Sequence, residues 1–379
     1  MSKHDTNNIE AMSLIIRYST TDHHGNYAKD IRVLLKDQPY DKICNLVIFG
    51  SFSDSEYHNV LKEIKSGVRS ILERDIPVTL IPQRVLPLGH MAAEIYITDA
   101  CKSICYCKMN GICSGIVTGN DYSLLFTEGG ASSDFSSDVK TQSNEVFENI
   151  EKILSLHGFQ VNDIVRQWNY IGNITCHREG RQNYQEFNDS RSAYYLTGEW
   201  RNGYPAATGI STASDGIIVS CIAYKASEGI YPINNPLQTA AHVYSKDVLI
   251  DEKPGALKTT PKFERAKVIE VGDSTYCFVS GTAAIRGEES MQADSARLQT
   301  LQTIENIRHL VSEENLARHG CHAQNLKYTH LRIYIKHESD FNDIKDVVEM
   351  AYPGIPAIYT VADVCRSELL VEIEGILIS

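Results

Sequence analysis

The pattern of apolar and polar positions repeats itself along this chain. Residues 138–154 and 294–310 each carry apolar residues at the spacing of one amphipathic helix, and each follows a predicted hairpin that ends at a glycine, Gly129 or Gly281. After each helix the pattern predicts a strand, a second helix and a closing strand. We expect the apolar helix faces to consist of Val139, Val146, Ile150, Ile153 and Leu154 in the first copy, and of Leu298, Leu301, Ile304, Ile307 and Leu310 in the second.

The strand that follows each helix shows period-two alternation. The alignment of the two copies places Arg166 opposite Arg332 and Trp168 opposite Tyr334. In the second copy the apolar face is expected to pack on the helices, so the other face would line a cleft. The apolar face carries Leu331, Ile333 and Ile335, and the other carries Arg332, Tyr334 and Lys336.

The closing strands, residues 216–223 and 368–376, differ at one informative position. Their alignment places Ser220 opposite Glu372, so one copy has a carboxyl group where the other has a hydroxyl. Such a difference is expected if one copy is active and the other is a scaffold.

Strands interleaved with helices predict an α+β fold, in which a mixed sheet has helices packed on one face. Its open faces are expected to associate, either in a homo-oligomer such as a trimer or within one chain that acts as a monomeric pseudo-oligomer. The predicted divisions are residues 1–112 (an N-terminal extension or degenerate domain), 113–225 (a first, scaffolding unit), 226–267 (a connecting segment) and 268–379 (a second unit with the catalytic Glu).

Charge and composition narrow the functional classes. The formal net charge of −12 disfavours nucleic acid and anionic membranes as partners. No apolar run is long enough to span a bilayer and no signal peptide is recognisable, so a cytoplasmic protein with reduced cysteines is expected. The cluster Cys101, Cys105, Cys107 and Cys113 lacks metal-ligand spacing, and we predict neither a metal nor a cofactor.

The repeat unit resembles the RidA/YjgF superfamily, which is chorismate-mutase-like in fold, and two such units in one chain resemble the chorismatases. The resemblance covers about residues 113–379, while residues 1–112 are not placed by it. The stretches that carry it are RQWNYI (166–171), YQEFNDSR (184–191), YPAATGI (204–210), NPLQ (235–238), FERA (263–266), VSGTA (279–283) and ADVCRSELLVEIEG (362–375).

The resemblance implies a hydrolase that releases pyruvate from the enolpyruvyl ether of chorismate, or of a related cyclic enolpyruvyl acid. The other product would be a dihydroxycyclohexadiene carboxylate or a hydroxybenzoate. It implies that Glu372 is the proton donor, with Glu374 as the alternative, and that Cys365 contacts the ring. The matching stretch that ends at Ala283 is also expected to contact substrate.

A substrate with two carboxylates requires cations in the cleft. An arginine side chain can hold a carboxylate with two hydrogen bonds, so Arg332 is predicted to do this, with Tyr334 and Lys336 beside it. The chain departs from the chorismatase pattern in residues 255–261 and at Glu288, where it is less basic, so the sequence leaves the true substrate open. Further candidates for substrate contact are Tyr184, Arg191, Tyr244, Lys258 and Arg265.

Two other functions use the same cleft. A RidA-like imine deaminase would carry an arginine on the strand before the last one, whereas residues 357–361 contain none. A non-catalytic protein that binds small carboxylates is the second alternative. The presence of Glu372 in one copy alone favours catalysis over binding.

Overall fold

The computed structural model describes residues 14–22, 25–98, 104–178, 180–245, 259–292 and 294–379. We refer to residues 14–98 as the N-terminal module, residues 104–226 as the middle module and residues 230–378 as the C-terminal module. Among the described residues, no helix has the length and apolar character needed to cross a bilayer.

The N-terminal module contains five strands and two helices. These are β1 (Leu14–Asp22), α1 (Tyr27–Leu34), β2 (Ile43–Gly50), α2 (Asp54–Leu72), β3 (Val78–Pro82), β4 (Arg84–Val85) and β5 (His90–Thr98).

The middle module begins with three antiparallel strands and continues through two helices. Its elements are β6 (Ile104–Met109), β7 (Ile112–Thr118), β8 (Tyr122–Thr127), β9 (Gly130–Ala131), α3 (Val139–Leu156), β10 (Ile164–Gly172), β11 (His177–Arg178), β12 (Arg181–Gln182), α4 (Asn183–Tyr195), β13 (Ala206–Thr212) and β14 (Ile217–Ala226).

The C-terminal module repeats the order of the longer strands and helices, adds the short helix α6 (Glu313–Arg318) and differs in its two-residue strands. Its elements are β15 (Ile230–Ile233), β16 (Ala266–Val271), β17 (Ser274–Thr282), β18 (Ile285–Arg286), β19 (Glu289–Ser290), α5 (Ala296–Leu310), α6 (Glu313–Arg318), β20 (Lys327–Ile335), α7 (Phe341–Ala351), β21 (Ala357–Val361) and β22 (Val371–Ile378).

Strand order shows the repeat directly. The middle module has the order β13-β10-β14-β8-β7-β6, and the C-terminal module has the corresponding order β21-β20-β22-β17-β16-β15. In the N-terminal module, β3, β2, β5 and β1 are neighbours in that order, with β2 parallel to β3 and antiparallel to β5. The order β3-β2-β5-β1 corresponds to β13-β10-β14-β8 in the middle module and to β21-β20-β22-β17 in the C-terminal module.

Strand register supports the alignment of the two closing strands. Ser220 pairs with Trp168, and Glu372 pairs with Tyr334. The two aligned glycines also make the same contact with a neighbouring module: the Gly129 N–H donates to Thr79 Oγ1 at 2.7 Å and the Gly281 N–H to Thr208 Oγ1 at 3.0 Å.

The helices of the middle and C-terminal modules pack on one face of their sheet, as predicted. In α3 all five predicted apolar residues are buried, but in α5 Leu298 and Leu301 are about half exposed, so this part of the prediction was wrong. The buried face of α5 includes polar side chains that bind loop backbone: Asn306 donates to the carbonyls of Ala283 and Ile285, and Gln299 accepts from the Leu370 N–H.

The opposite sheet faces meet inside the chain rather than at an external surface. Arg332 of β20 donates to Glu94 of β5 and, at 2.8 Å, to the Tyr170 hydroxyl of β10, so its guanidinium contacts all three modules. The open faces predicted from the sequence are therefore covered within this one chain.

Candidate active site

A cleft lies where the middle module meets the C-terminal module. Strand β13 runs beside β17 there, and the Ala207 N–H donates to Ser280 Oγ at 2.9 Å. Residues of the connecting segment, including Tyr244 and Phe263, form another wall. The lining comprises Gln182, Tyr184, Gln185, Asn188, Arg191, Ala207, Gly209, Tyr244, Pro261, Phe263, Arg265, Gly281, Ala283, Ile285, Cys365, Arg366, Leu369 and Glu372.

Glu372 is the carboxyl group of this cleft. Strand alternation places Val371 and Ile373 in the core against the helices, which turns Glu372 to the opposite face. Its side chain is 5% exposed, and within the described part of the chain no group hydrogen-bonds or ion-pairs with it. Burial, reinforced by the charge of Glu374, raises the pKa of Glu372 to about 8. The carboxyl is therefore mostly protonated at neutral pH.

Glu374 lies on the same face of β22 but is fully engaged. It accepts from Arg166 Nη2 at 2.6 Å and from Trp168 Nε1 at 2.8 Å, and it lies 3.2 Å from Arg332 Nη1. Both of its carboxylate oxygens are thus taken up by donors, and Glu374 does not line the cleft. Of the two glutamates considered from the sequence, Glu372 is the one with the geometry of an acid.

Gly281 gives Glu372 the room it occupies. A Cβ at position 281 would lie 2.0 Å from Glu372 Oε1 and 3.0 Å from Thr208 Cγ2. Any side chain here would displace the carboxyl group. The glycine noticed in the sequence as the end of a hairpin is thus a requirement of close packing.

Cys365 and Tyr184, both named from the sequence, line the same cleft. Burial, reinforced by nearby Glu372, raises the pKa of the Cys365 thiol to about 12, so it is a neutral thiol and not a thiolate nucleophile. The Tyr184 ring packs over Gly209, where an added Cβ would lie 3.0 Å from its Cε2. Both groups present neutral surface to a ligand.

Three arginines supply positive charge to the cleft: Arg191, Arg265 and Arg366. The side chains of Arg191 and Arg265 are only 1% and 3% exposed. Among the described residues none of the three has an acidic side chain within 4.0 Å. Since a buried charge without a counterion is costly, this arrangement favours an anionic ligand.

The hydrogen bonds of these arginines leave donors unused. Arg191 Nη2 donates to Asn188 Oδ1 at 2.6 Å, while its Nε is buried without an acceptor. Arg265 Nη2 donates to the Tyr244 hydroxyl at 2.6 Å, and its Nε is likewise buried without an acceptor.

Three residues predicted to bind substrate do not line the cleft. Arg332 and Tyr334 are buried between the sheets, because the N-terminal module covers the face that the sequence left open. Lys336 lies near the end of β20, where its Nζ donates to the Ser367 carbonyl at 2.6 Å. The prediction that these side chains face substrate was wrong. Seven residues named from the sequence do line the cleft: Glu372, Cys365, Tyr184, Arg191, Tyr244, Arg265 and Ala283.

The sequence analysis did not name Arg366, which also lines the cleft. Arg366 lies in a segment without strand or helix periodicity. Its position next to Cys365 was therefore the feature of the sequence that could have identified it. Its Nη1 donates to the Glu288 carbonyl at 2.8 Å, while the Glu288 carboxylate accepts from Ser245. The candidate Lys258 lies outside the described residues.

We expect Arg332→Leu to act on stability rather than on substrate binding. The substitution leaves the carboxylates of Glu94 and Glu374 buried with one cation fewer, and breaking such a pair costs about 3–5 kcal/mol. Urea denaturation would measure the loss, with Lys336→Leu as the control in which it is small. A raised KM at unchanged stability would instead support the role first predicted for Arg332.

Comparison with known proteins finds chorismatase-like relatives. Residues 108–223 match the family model described as "Chorismatase FkbO/Hyg5-like, N-terminal". The chain is 29% identical over 303 residues to a 3-hydroxybenzoate synthase of Streptomyces hygroscopicus, covering 77% of this chain and 83% of that protein. It is 30% identical over 220 residues to a chorismatase of Streptomyces rapamycinicus, covering 56% of this chain and 63% of that protein.

The fold agrees with a solved structure over nearly the whole chain. A chorismatase crystal structure superposes with a TM-score of 0.74 at 19% identity, covering 97% of this chain and 99% of that one. The predicted α+β fold, with mixed sheets and repeated units, is confirmed. The coverage includes the N-terminal residues that the sequence resemblance left unplaced.

Proposed function

We propose that this chain, which is similar to chorismatase FkbO/Hyg5-like proteins, releases pyruvate from the enolpyruvyl ether of chorismate or a related cyclic enolpyruvyl acid. The observation that carries the proposal is the Glu372 carboxyl, buried without a hydrogen-bond donor among the described residues in a cleft with three arginines, where burial raises its pKa to about 8. A neutral acid and an excess of cations suit a dianionic substrate that must be protonated on carbon.

In the proposed reaction Glu372 donates its proton to the terminal methylene carbon of the enolpyruvyl group. The ether carbon becomes an oxocarbenium centre, and the resulting Glu372 carboxylate faces that positive charge. Addition of water gives a hemiketal, which collapses to pyruvate and the ring alcohol while a proton returns to Glu372. Release of a dihydroxycyclohexadiene carboxylate consumes one water, whereas release of a hydroxybenzoate consumes no net water.

The arginines would orient the substrate. Arg265 is one of the cations whose charge opposes the rise in the Glu372 pKa, so it lies close to the acid. The charge of Arg191 acts instead on Tyr184, whose pKa it lowers against the larger effect of burial. We propose that these two cations hold the two carboxylates, while Tyr184, Tyr244, Ala283 and Cys365 contact the ring and enolpyruvyl group.

The deciding experiment is incubation of the purified protein with chorismate, with pyruvate followed by a lactate dehydrogenase coupled assay. We expect enzyme-dependent pyruvate release, with the ring product identified by chromatography. Tight binding of chorismate without pyruvate release would favour the non-catalytic alternative. Ammonia release from an enamine or imine substrate, with none of pyruvate from chorismate, would favour an imine deaminase.

A further inference from the structure

Thr208 of β13 has a hydroxyl whose hydrogen-bonding capacity is fully used at the junction of the two modules. It donates to Glu374 Oε2 and accepts from Arg166 Nη2 at 2.7 Å and from the Gly281 N–H at 3.0 Å. A hydroxyl has one proton and two lone pairs, so these three bonds saturate it. Thr208 is buried and does not line the cleft.

The Gly281 backbone is packed directly against the Glu372 carboxyl, as the 2.0 Å approach of a notional Cβ to Oε1 shows. The Gly281 peptide and the Glu372 carboxyl are therefore neighbours, and the Thr208 hydroxyl is the acceptor that the Gly281 N–H uses. An N–H donor stabilises the ionised form of a carboxyl group. A general acid must avoid such a donor, since it would hold the proton-depleted state.

We propose that Thr208 is a positioning residue for Glu372: its hydroxyl takes up the Gly281 N–H and fixes the Glu374 carboxylate beside the acid, which keeps Glu372 free of donors and ready to give its proton. The inference deepens the proposed function, because it explains how the acid is kept protonated at neutral pH.

Other charged and titratable groups around Glu372 also affect which form of its carboxyl is favoured. Glu374 on the same strand favours the neutral carboxyl, whereas Arg166 and Arg265 oppose it. The thiol and phenol at the cleft are themselves neutral, because burial raises their pKa values well above neutrality. The titratable and charged groups that face or surround the carboxyl are Glu374, Arg166, Arg265, Arg366, Arg191, Cys365 and Tyr184.

The test is the titration of Glu372 in the free protein, followed by carbon-13 NMR of labelled glutamate carboxyl groups. The Glu372 signal is identified by its loss in Glu372→Gln. In Thr208→Val, which keeps the shape but lacks the hydroxyl, we expect the midpoint to fall by about one pH unit or more as the Gly281 N–H turns to the carboxylate. Thr208→Ala should do the same with less steric demand, and Thr208→Ser should restore the wild-type midpoint.

Thr79 provides a matched control, since its hydroxyl accepts the Gly129 N–H in the corresponding contact between modules. Thr79→Val should cost similar stability without moving the Glu372 midpoint. A wild-type midpoint in both hydroxyl-free variants, or a shifted one in Thr208→Ser, would overturn the proposal. Failure of the proposed function would show separately, as a wild-type protein that releases no pyruvate while its Glu372 midpoint still responds to Thr208.

Discussion

Replacing Glu372 by glutamine is expected to lower pyruvate release from chorismate at least a hundredfold. Glutamine keeps the size and most of the shape of the side chain but cannot donate a proton to carbon, and a general acid contributes about 10² to 10⁴ in rate. The loss should appear in kcat, because the arginines that hold the substrate are unchanged. The coupled pyruvate assay measures it directly, with the exposed Glu148→Gln as a control that retains full activity.

The pH dependence follows from the same group. Since Glu372 must be protonated to act and its pKa is raised to about 8, kcat/KM should be level near neutral pH and fall as pH rises through about 8. An unperturbed glutamate would already have lost its proton above about pH 5. A profile that falls with a midpoint near 4 to 5 would contradict the proposed acid.

Stability should depend on Glu372 with a defined sign. The folded-state pKa lies above the unfolded value of 4.5, so the native state binds more protons between these two values and its stability falls as pH rises across that range. Glu372→Gln removes this penalty. Its melting temperature should therefore exceed that of the wild type by a margin that grows from acidic to mildly alkaline pH. Loss of activity together with a lower melting temperature would instead indicate a structural role.

The sequence predicted those features that depend on periodicity within a single repeat. Alternation placed Glu372 on the face of β22 away from the helices, and the aligned copies identified it as the position where the two units differ. The direction of its pKa shift could not be predicted from the sequence, because burial and a second glutamate raise a carboxyl pKa whereas a nearby arginine lowers it.

The wrong predictions concern which part of the chain covers each face of a sheet. Alternation correctly turned Arg332 away from the helices, but it could not reveal that β5 of the N-terminal module brings Glu94 against it. The N-terminal residues showed no resemblance to a known family, so the sequence did not predict that they would cover this sheet face. Arg366 was missed for a different reason: it lies on a loop, where no periodicity marks direction.

Arg191 and Arg332 differ in their acidic partners, and this difference leads to the second prediction with a large expected effect. Both guanidinium groups are buried, yet Arg332 is paired with Glu94 and Glu374 whereas Arg191 has no acidic partner among the described residues. A buried charge that the protein does not neutralise destabilises the empty enzyme and is neutralised when an anion binds. Arg191 is therefore expected to contribute to binding at the expense of stability, opposite to Arg332.

We expect Arg191→Gln to reduce kcat/KM for chorismate by about a hundredfold, mostly through a raised KM. This factor corresponds to about 2.7 kcal/mol, within the range of about 2–5 kcal/mol for truncating one partner of a buried charged pair. The same variant should unfold at an equal or higher urea concentration than the wild type, because it removes an uncompensated charge. Arg201→Gln, at a side chain that is 85% exposed, is the control and should change neither quantity. A variant at position 191 that loses stability as Arg332→Leu does, while keeping the wild-type KM, would assign Arg191 to the structure and leave the second carboxylate of the substrate to Arg366.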